Sequence, residues 1–362
     1  MRKTRGPLWA WTCVVLGGVF VLASAGGFVV TRVATSKVER SVHTADLFGP
    51  QPEFAADRGG RAKITGPLNI LLVGIDPRPE NPEEAPHGDS VMILHVPREL
   101  DRAYLFSLPR DLLVDIPAWE RAQFAGSRYD KLTHAMTYGA RRDGAPSDVA
   151  SGFGLLARTV SGYTGITSFD AGLVINFAGF QQVVAELGGV DMYIDQRVES
   201  IHLTPDGEPR WKLPGDPPHR VYEPGPRHLS ASEALDYVRQ RYTEGGDYTR
   251  QRHQQQFIRA LVSKATSVSV LTSPGRLGAV VGAAGDALTF DGRGASIVDF
   301  AVALHGIGQD RMALVRLPGH NIGTGAGYQG EELEPVAKEF FAAVASDRVD
   351  EFLGHHLELI NR

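Results

Sequence analysis

Residues Gly6 to Thr31 carry no charged side chain, a run of 26 residues. A helix needs roughly 20 residues to cross a bilayer, so whatever follows must fold on one side of a membrane. Arg2, Lys3 and Arg5 precede the run, and only Arg32 and Lys37 follow it closely. That bias puts the N-terminus in the cytoplasm and everything after residue 31 outside. Residues 1–7 are read as a cytoplasmic tail and 8–31 as a transmembrane signal-anchor of a single-pass cell-membrane protein. The alternative is a cleaved signal peptide ending at Ala23-Ser24-Ala25. Apolar residues continue through Phe28, Val29 and Val30, which favours the anchor. Both readings export the rest of the chain.

Composition narrows what the exported part can do. Cys13 is the single cysteine, which excludes an intrachain disulfide framework and a cysteine-rich zinc site. Without the four basic residues of 1–32, 33 Lys+Arg face 42 Asp+Glu, a net charge of −9. An acidic domain is a poor general binder of nucleic acid or of anionic lipid, so any anion site must be a local cluster. Outside the cell there is no ATP. An exported transferase must therefore use a substrate that carries its own activation.

Residues 32–64 read as a linker, 65–347 as one domain and 348–362 as a C-terminal tail. Asn69–Gly74, Ser90–Val96 and Ala103–Leu108 are short apolar runs of the buried-strand type. The polar link Arg98–Arg102 makes the last two a hairpin. Helices are predicted over 131–138, 148–161, 177–187, 230–238, 248–266, 277–284, 297–305 and 332–345. Strands are predicted over 169–175, 190–195 and 312–317. The stretch 196–228, rich in Pro and Gly, is read as a long loop. The interleaving implies an α/β fold, a three-layer α-β-α sandwich on a central mixed sheet.

Charges sit at strand ends. The first strand ends in Asp76-Pro77-Arg78, the second starts at His87-Gly88-Asp89, and the third ends in Arg110-Asp111. In a hairpin, the last two points share an edge, so Asp89 and Arg110 fall close together. A second cluster, Arg239, Arg241, Arg250, Arg252 and His253, brackets the break Gly245-Gly246. Arginine forks match phosphate oxygens. Arg250 near a helix N-terminus is unfavourable by itself and calls for an anion nearby. Carboxylates sharing a cation with phosphate oxygens is how Mg²⁺ is usually held. Together these features point to a pyrophosphate.

The ordered pieces NILLVGIDPR, GDSVMILHV, SLPRDLLVDIP, KLTHA, FAGFQQVVAELGGVDMYI, LSASEALDYVRQR and GDYTRQRHQQQF resemble the LytR-CpsA-Psr family of cell-envelope proteins, from about residue 69 to 262. The resemblance implies a phosphotransferase that moves a glycopolymer from a polyprenyl-pyrophosphate carrier onto the C6 hydroxyl of muramic acid in peptidoglycan. It implies that Asp76 and Asp89 hold Mg²⁺ or Mn²⁺. It also implies that Arg110, Lys131, Arg239, Arg241, Arg250 and Gln254 bind the pyrophosphate, with Arg110, Arg241 and Asp247 in the catalytic set. Two family arginines are replaced here by His87 and His253, which puts phosphate affinity under pH control if both face the site. Arg252 lies about 100° away from position 253 on a helix.

Asp247 and Asp111 are the candidate bases for the acceptor hydroxyl. The plainer readings are an N-cap for Asp247 and an ion pair with Arg110 for Asp111. Phe153, Leu155, Leu156, Phe177, Phe180 and Val184 are candidate walls of a prenyl slot, or ordinary core. The competing functions are a pyrophosphatase on the same carrier and a non-catalytic polyprenyl-phosphate-binding scaffold. A DNA-binding regulator is set aside, because a seven-residue cytoplasmic tail cannot read DNA.

Overall fold

Three apolar runs make the centre of the sheet. The computed structural model describes residues 43–49, 64–77, 80–265, 267, 279–280, 282–283, 285 and 288–361. The expected membrane segment lies outside these residues, as does half of the helix expected over 277–284. No helix among the described residues is long and apolar enough to cross a membrane.

The chain begins with β1 (His43–Thr44), β2 (Leu68–Ile75), β3 (Gly88–Val96), β4 (Ala103–Leu108), β5 (Leu113–Ile116) and β6 (Ser127–Lys131). Next come α1 (Leu132–Ala140), α2 (Val149–Thr164), β7 (Ala171–Asn176), α3 (Phe177–Glu186) and β8 (Val190–Ile194). Then follow β9 (Val198–Glu199), β10 (Val221–Tyr222), β11 (Gly225–Leu229), α4 (Ala231–Arg239) and α5 (Gly246–Ala265). The last part holds β12 (Leu288–Asp291), α6 (Ile297–Ala303), β13 (Met312–Val315), β14 (Gly319–Ile322), β15 (Gly330–Leu333), α7 (Val336–Ala345), α8 (Val349–His355) and β16 (Ile360–Asn361).

Eight strands form one mixed sheet in the order β1-β12-β7-β2-β3-β4-β13-β16. β2 runs parallel to β7, and β4 parallel to β13, while β3 lies antiparallel between β2 and β4. Every residue of β4 is buried, as a strand covered on both faces requires. On one face Leu71, Val73 and Phe106 pack with Met136 of α1, Phe153 of α2 and Phe340 of α7. On the other, Ile70, Leu105 and Leu314 pack with Val298 and Phe300 of α6 and Ile258 of α5. The three layers follow. A further cluster joins Val184, Val190, Tyr237 and Phe257 around α3, α4 and α5.

The packed unit is larger than the predicted domain. Leu47 and Phe48, within the expected linker, are 0% and 1% exposed. The Phe48 ring meets Phe153 edge-on at 5.3 Å. Gly172 of β7 makes room for this layer, since a Cβ there would stand 2.7 Å from Phe153. The expected tail forms α8 and the edge strand β16, and buries Val349, Leu353 and Leu359. The helix expected from residue 332 starts at Val336, because Gly330–Leu333 is a strand and Pro335 fits just ahead of a first helical turn. The stretch 196–228, expected as one long loop, instead holds β9, β10 and most of β11, and it is pinned by buried Asp236, whose carboxylate accepts from Ser200 at 2.8 Å, Tyr222 at 2.7 Å and Gln240 at 2.7 Å.

The prenyl-slot candidates do not line one wall. Phe153, Leu155 and Leu156 belong to the α1–α2 core. Phe180 and Val184 belong to the cluster around α4 and α5.

Candidate active site

The carboxyl ends of β7, β2, β4 and β13 and the start of β3 share one edge. Ile75 pairs with both Gly88 and Asn176, and Val91 pairs with Leu108. Asp76, Asp89, Arg110 and Phe177 therefore gather there. Ligands of open α/β sheets bind in this crevice, beyond the strand carboxyl ends.

The hairpin expectation holds, and Arg110 and Asp89 form an ion pair. Nε of Arg110 lies 3.5 Å from Oδ1 of Asp111. The other Asp111 oxygen is 3.4 Å from Lys131 Nζ and accepts from the Tyr328 hydroxyl at 3.2 Å. Lys131 also sits 4.8 Å over the Tyr328 ring. Asp111 is thus the hub that joins Arg110 to Lys131.

α5 supplies the second half. Asp247, Arg250, Gln251 and Gln254 recur at spacings that share one helix face. Arg250 is 7% exposed and pairs with Asp247 at 2.6 Å. Asp247 is therefore a first-turn residue that supplies the anion Arg250 requires. Its other oxygen accepts from Gln251 at 3.0 Å. Arg250 Nε finds no acceptor among the described residues. A buried charged donor left in that state is costly without a further partner. Ser90 Oγ donates to Gln254 Oε1 at 3.0 Å, tying α5 to the start of β3. Gln254 also donates to Val238 O at 3.3 Å, which keeps the end of α4 beside α5.

Arg239 and Arg241 leave that end of α4. The Arg239 guanidinium lies 4.4 Å over the ring of Phe177, the residue after Asn176 at the same edge. Arg241 and Asp76 are exposed. Side-chain contacts thus join Asp89, Arg110 and Lys131, and pair Asp247 with Arg250. Among the described residues, they do not draw Arg239 or Arg241 into that network.

The histidine replacements differ from each other. His253 is fully buried, stacked on Tyr237 at 4.4 Å, with Nε2 3.1 Å from Asp195 Oδ1. It belongs to the core and not to the site. Arg252 takes the other oxygen of Asp195 at 2.6 Å, so it does not stand in for a phosphate ligand either. His87 is at the site, with Nδ1 3.0 Å from Thr137 Oγ1. Desolvation lowers the basicity of its ring, Asp89 opposes this, and Arg110 reinforces it.

Sequence reasoning missed Glu331. It lies in β15, is 4% exposed, and its backbone N–H donates to Asp111 O at 2.9 Å. Gly330 permits this approach, because a Cβ there would stand 2.6 Å from the same carbonyl oxygen. Burial pushes the Glu331 carboxyl above its usual range, and the charges of Asp247 and Asp111 act in the same direction. Burial likewise raises Tyr248 and Tyr328. Nothing in GEEL marks a buried acid, since acidic side chains are seldom fully buried.

Asp76 and Asp89 come from adjacent strands and offer hard oxygen donors only. No group of three or more His, Cys, Asp or Glu is poised for a metal among the described residues. Two carboxylates completed by substrate oxygens and water fit Mg²⁺ or Mn²⁺ and not a self-contained protein cage.

Residues 31–341 match the LytR_cpsA_psr family. This chain belongs to that family. Among LytR_cpsA_psr relatives, the polyisoprenyl-teichoic acid–peptidoglycan teichoic acid transferase TagT of Bacillus subtilis is 28% identical over 274 residues, covering 74% of each chain. The probable cell wall biosynthesis protein LcpB of Corynebacterium glutamicum is 30% identical over 294 residues, 76% of this chain and 56% of that protein. Among solved structures, B. subtilis TagV aligns with a TM-score of 0.57 at 17% identity, covering 79% of this chain and 98% of that one. TagT bound to LI-WTA aligns with a TM-score of 0.56 at 23% identity, covering 84% and 98%. These structural likenesses establish the LytR_cpsA_psr fold as a mixed central sheet with flanking helices.

Proposed function

We propose that this chain is an exported phosphotransferase that moves a glycopolymer from a polyprenyl-pyrophosphate carrier to a hydroxyl of peptidoglycan, the muramic acid C6 hydroxyl. The observation that carries the reading is the Ser90–Gln254 hydrogen bond, which brings the helix bearing Arg250 to the strand edge bearing Asp89 and Arg110. Five cationic groups from distant segments, Arg110, Lys131, Arg239, Arg241 and Arg250, then border one edge of the sheet in an acidic domain. The transferase names of the relatives support the same class of reaction.

In this reading Arg110 and Lys131, held by Asp111, bind one part of the pyrophosphate. Arg250, held by Asp247, gives its unsatisfied Nε–H to another, and Gln254, Arg239 and Arg241 border the remainder. Asp76 and Asp89 would hold Mg²⁺ or Mn²⁺, which would neutralise charge on the pyrophosphate. The guanidinium groups stabilise the negative charge spread over the transferring phosphoryl oxygens, where most catalysis of such transfer arises. The uncharged run at the N-terminus keeps the domain at the membrane that holds the carrier.

The test supplies the full-length protein with a polyprenyl-pyrophosphate-linked oligosaccharide, nascent peptidoglycan and Mg²⁺. Wall-linked sugar phosphodiester is the expected product. Free phosphorylated oligosaccharide alone would make the chain a pyrophosphatase. Binding without any product would make it a scaffold.

A further inference from the structure

The two carboxylates that the sequence offers as bases are already engaged. Asp111 has one oxygen at Arg110 and the other at Lys131 and Tyr328. Asp247 has one at Arg250 and the other at Gln251. The acceptor hydroxyl still has to lose its proton.

A different pair stands at the same corner. His134, in the first turn of α1, places Nδ1 2.7 Å from Oδ1 of Asp130. That carboxylate is fixed on all sides. Its Oδ1 accepts from the Lys131 backbone at 2.7 Å, and its Oδ2 from Tyr138 at 2.9 Å and Ser127 at 3.2 Å. The hydrogen bonds to Asp130 hold its carboxyl below the usual range, against the effect of burial. A carboxylate so held fixes the tautomer with the proton on Nδ1 and leaves Nε2 as the basic nitrogen. The His134 side chain is 33% exposed, and its one hydrogen bond among the described residues goes through Nδ1.

Its neighbours are the pyrophosphate residues. Lys131 is three positions earlier, and Thr133 N donates to Arg110 O at 2.9 Å. The His87 ring, two residues before Asp89, lies 6.0 Å away between centroids. The titratable groups around His134 are Asp130 from β6, Tyr138 from its own helix and His87 from the loop before β3. Asp89, Arg110 and Glu84 act on His87.

We propose that His134, oriented by Asp130, is the general base of the transfer. This rests on the phosphotransferase reading. Nε2 takes the hydroxyl proton as the acceptor oxygen bonds to the sugar-side phosphorus. The bond from that phosphorus to the bridging oxygen breaks, and polyprenyl phosphate leaves with the electron pair. The imidazolium then returns its proton to water. Removing a general base lowers the rate by about 10²–10⁴.

The test measures three quantities on the full-length protein: transfer to peptidoglycan, binding of the polyprenyl-pyrophosphate-linked oligosaccharide, and Tm. His134→Gln keeps a donor toward Asp130 and is expected to transfer at least ~100-fold more slowly, with binding and Tm close to wild type. His134→Ala is expected to lose transfer and regain part of it in added imidazole, which a merely structural histidine would not do. Asp130→Asn is expected to lose most of the transfer. Wild-type transfer in His134→Gln, or no imidazole rescue in a folded, binding-competent His134→Ala, overturns the assignment and leaves the transferase reading intact. Absence of transfer by the wild-type protein overturns both.

Discussion

His253 Nε2 lies 3.1 Å from Asp195 Oδ1, behind the site and out of reach of solvent. Burial lowers the basicity of His253 against the pull of Asp195. It does the same to His95, which sits between Asn69 at 2.9 Å and Asp347 at 3.4 Å. A lowered histidine stays neutral in the fold while the unfolded chain takes up the proton as pH falls through about 6.5. The stability is full above that pH and is lost below it. Asp195 adds nothing in this window. Burial opposes its ionisation, but hydrogen bonds from His253, Arg252 and Gln256 win and keep its carboxyl below the usual range. Melting temperature should therefore drop from pH 7.5 to 5.5, and drop less in His253→Gln and in His95→Gln. Equal drops in all three proteins would show that neither histidine is responsible.

Arg241 and Arg110 separate chemistry from folding. Arg241→Ala removes an exposed side chain and should cost at least ~100-fold in transfer with Tm unchanged. Arg110→Ala should lose transfer and Tm together, because it strips a cation from both Asp89 and Asp111. Normal transfer by Arg241→Ala would remove that residue from the phosphate site.

Gly330→Ala tests whether the β14–β15 hairpin positions Asp111. The new methyl would meet the Asp111 carbonyl oxygen at 2.6 Å and Leu113 at 2.7 Å. Overpacking of this kind costs about 1–3 kcal/mol. Denaturant unfolding should show that loss, and transfer should fall as the hairpin withdraws. Unchanged stability would mean that the hairpin moves freely.

Glu331→Gln should stabilise the protein at neutral pH. Burial raises the carboxyl in the fold, so ionisation above about 4.3 favours the unfolded chain, and the amide removes that penalty. Thermal melts should show a higher Tm for the variant at pH 7 and no advantage at pH 4. A lower Tm at pH 7 would mean that Glu331 is ionised and paired.

Truncation after Asp347 should destabilise the whole domain. It removes Val349, Leu353 and Leu359 from the main core and uncovers the β13 edge. Tm should fall by many degrees, or the protein should aggregate. A truncated chain that melts like the full one would restore the reading of this segment as a tail.

The centre of the fold was legible because its strands are uninterrupted apolar runs covered on both faces. Ser230 and Glu233 announced the start of α4, and both halves of that capping box form. Arg110 and Asp89 were paired from one turn length. The short strands β14 and β15 were not legible, since GHNI and GEEL hold one large apolar residue each and owe their pairing to the Asp111 corner. His134 was passed over inside KLTHA because its partner, Asp130, belongs to a strand the sequence did not reveal. His253 stood beside the site in the sequence through the arginine cluster and the family pattern, yet a helix with core on several sides has more than one inward face. The arginines at the α4–α5 turn converge less than their spacing suggests, because Phe177 holds Arg239.

The first and last strands of the described chain, β1 and β16, close opposite margins of the eight-stranded sheet. The same C-terminal stretch reaches the helix of Arg250, since Asn361 donates to Gln255 at 3.1 Å, and Gln255 in turn bonds Ser107 and Val315. Order of emergence then matters. While the chain is still being made, the strands and helix of the site can be present with the far margin of the sheet still open. The sheet closes, and the helix gains its last tether, only when residue 361 arrives. A protein built this way gains the last tether of its site helix only after every other strand of the sheet has been made.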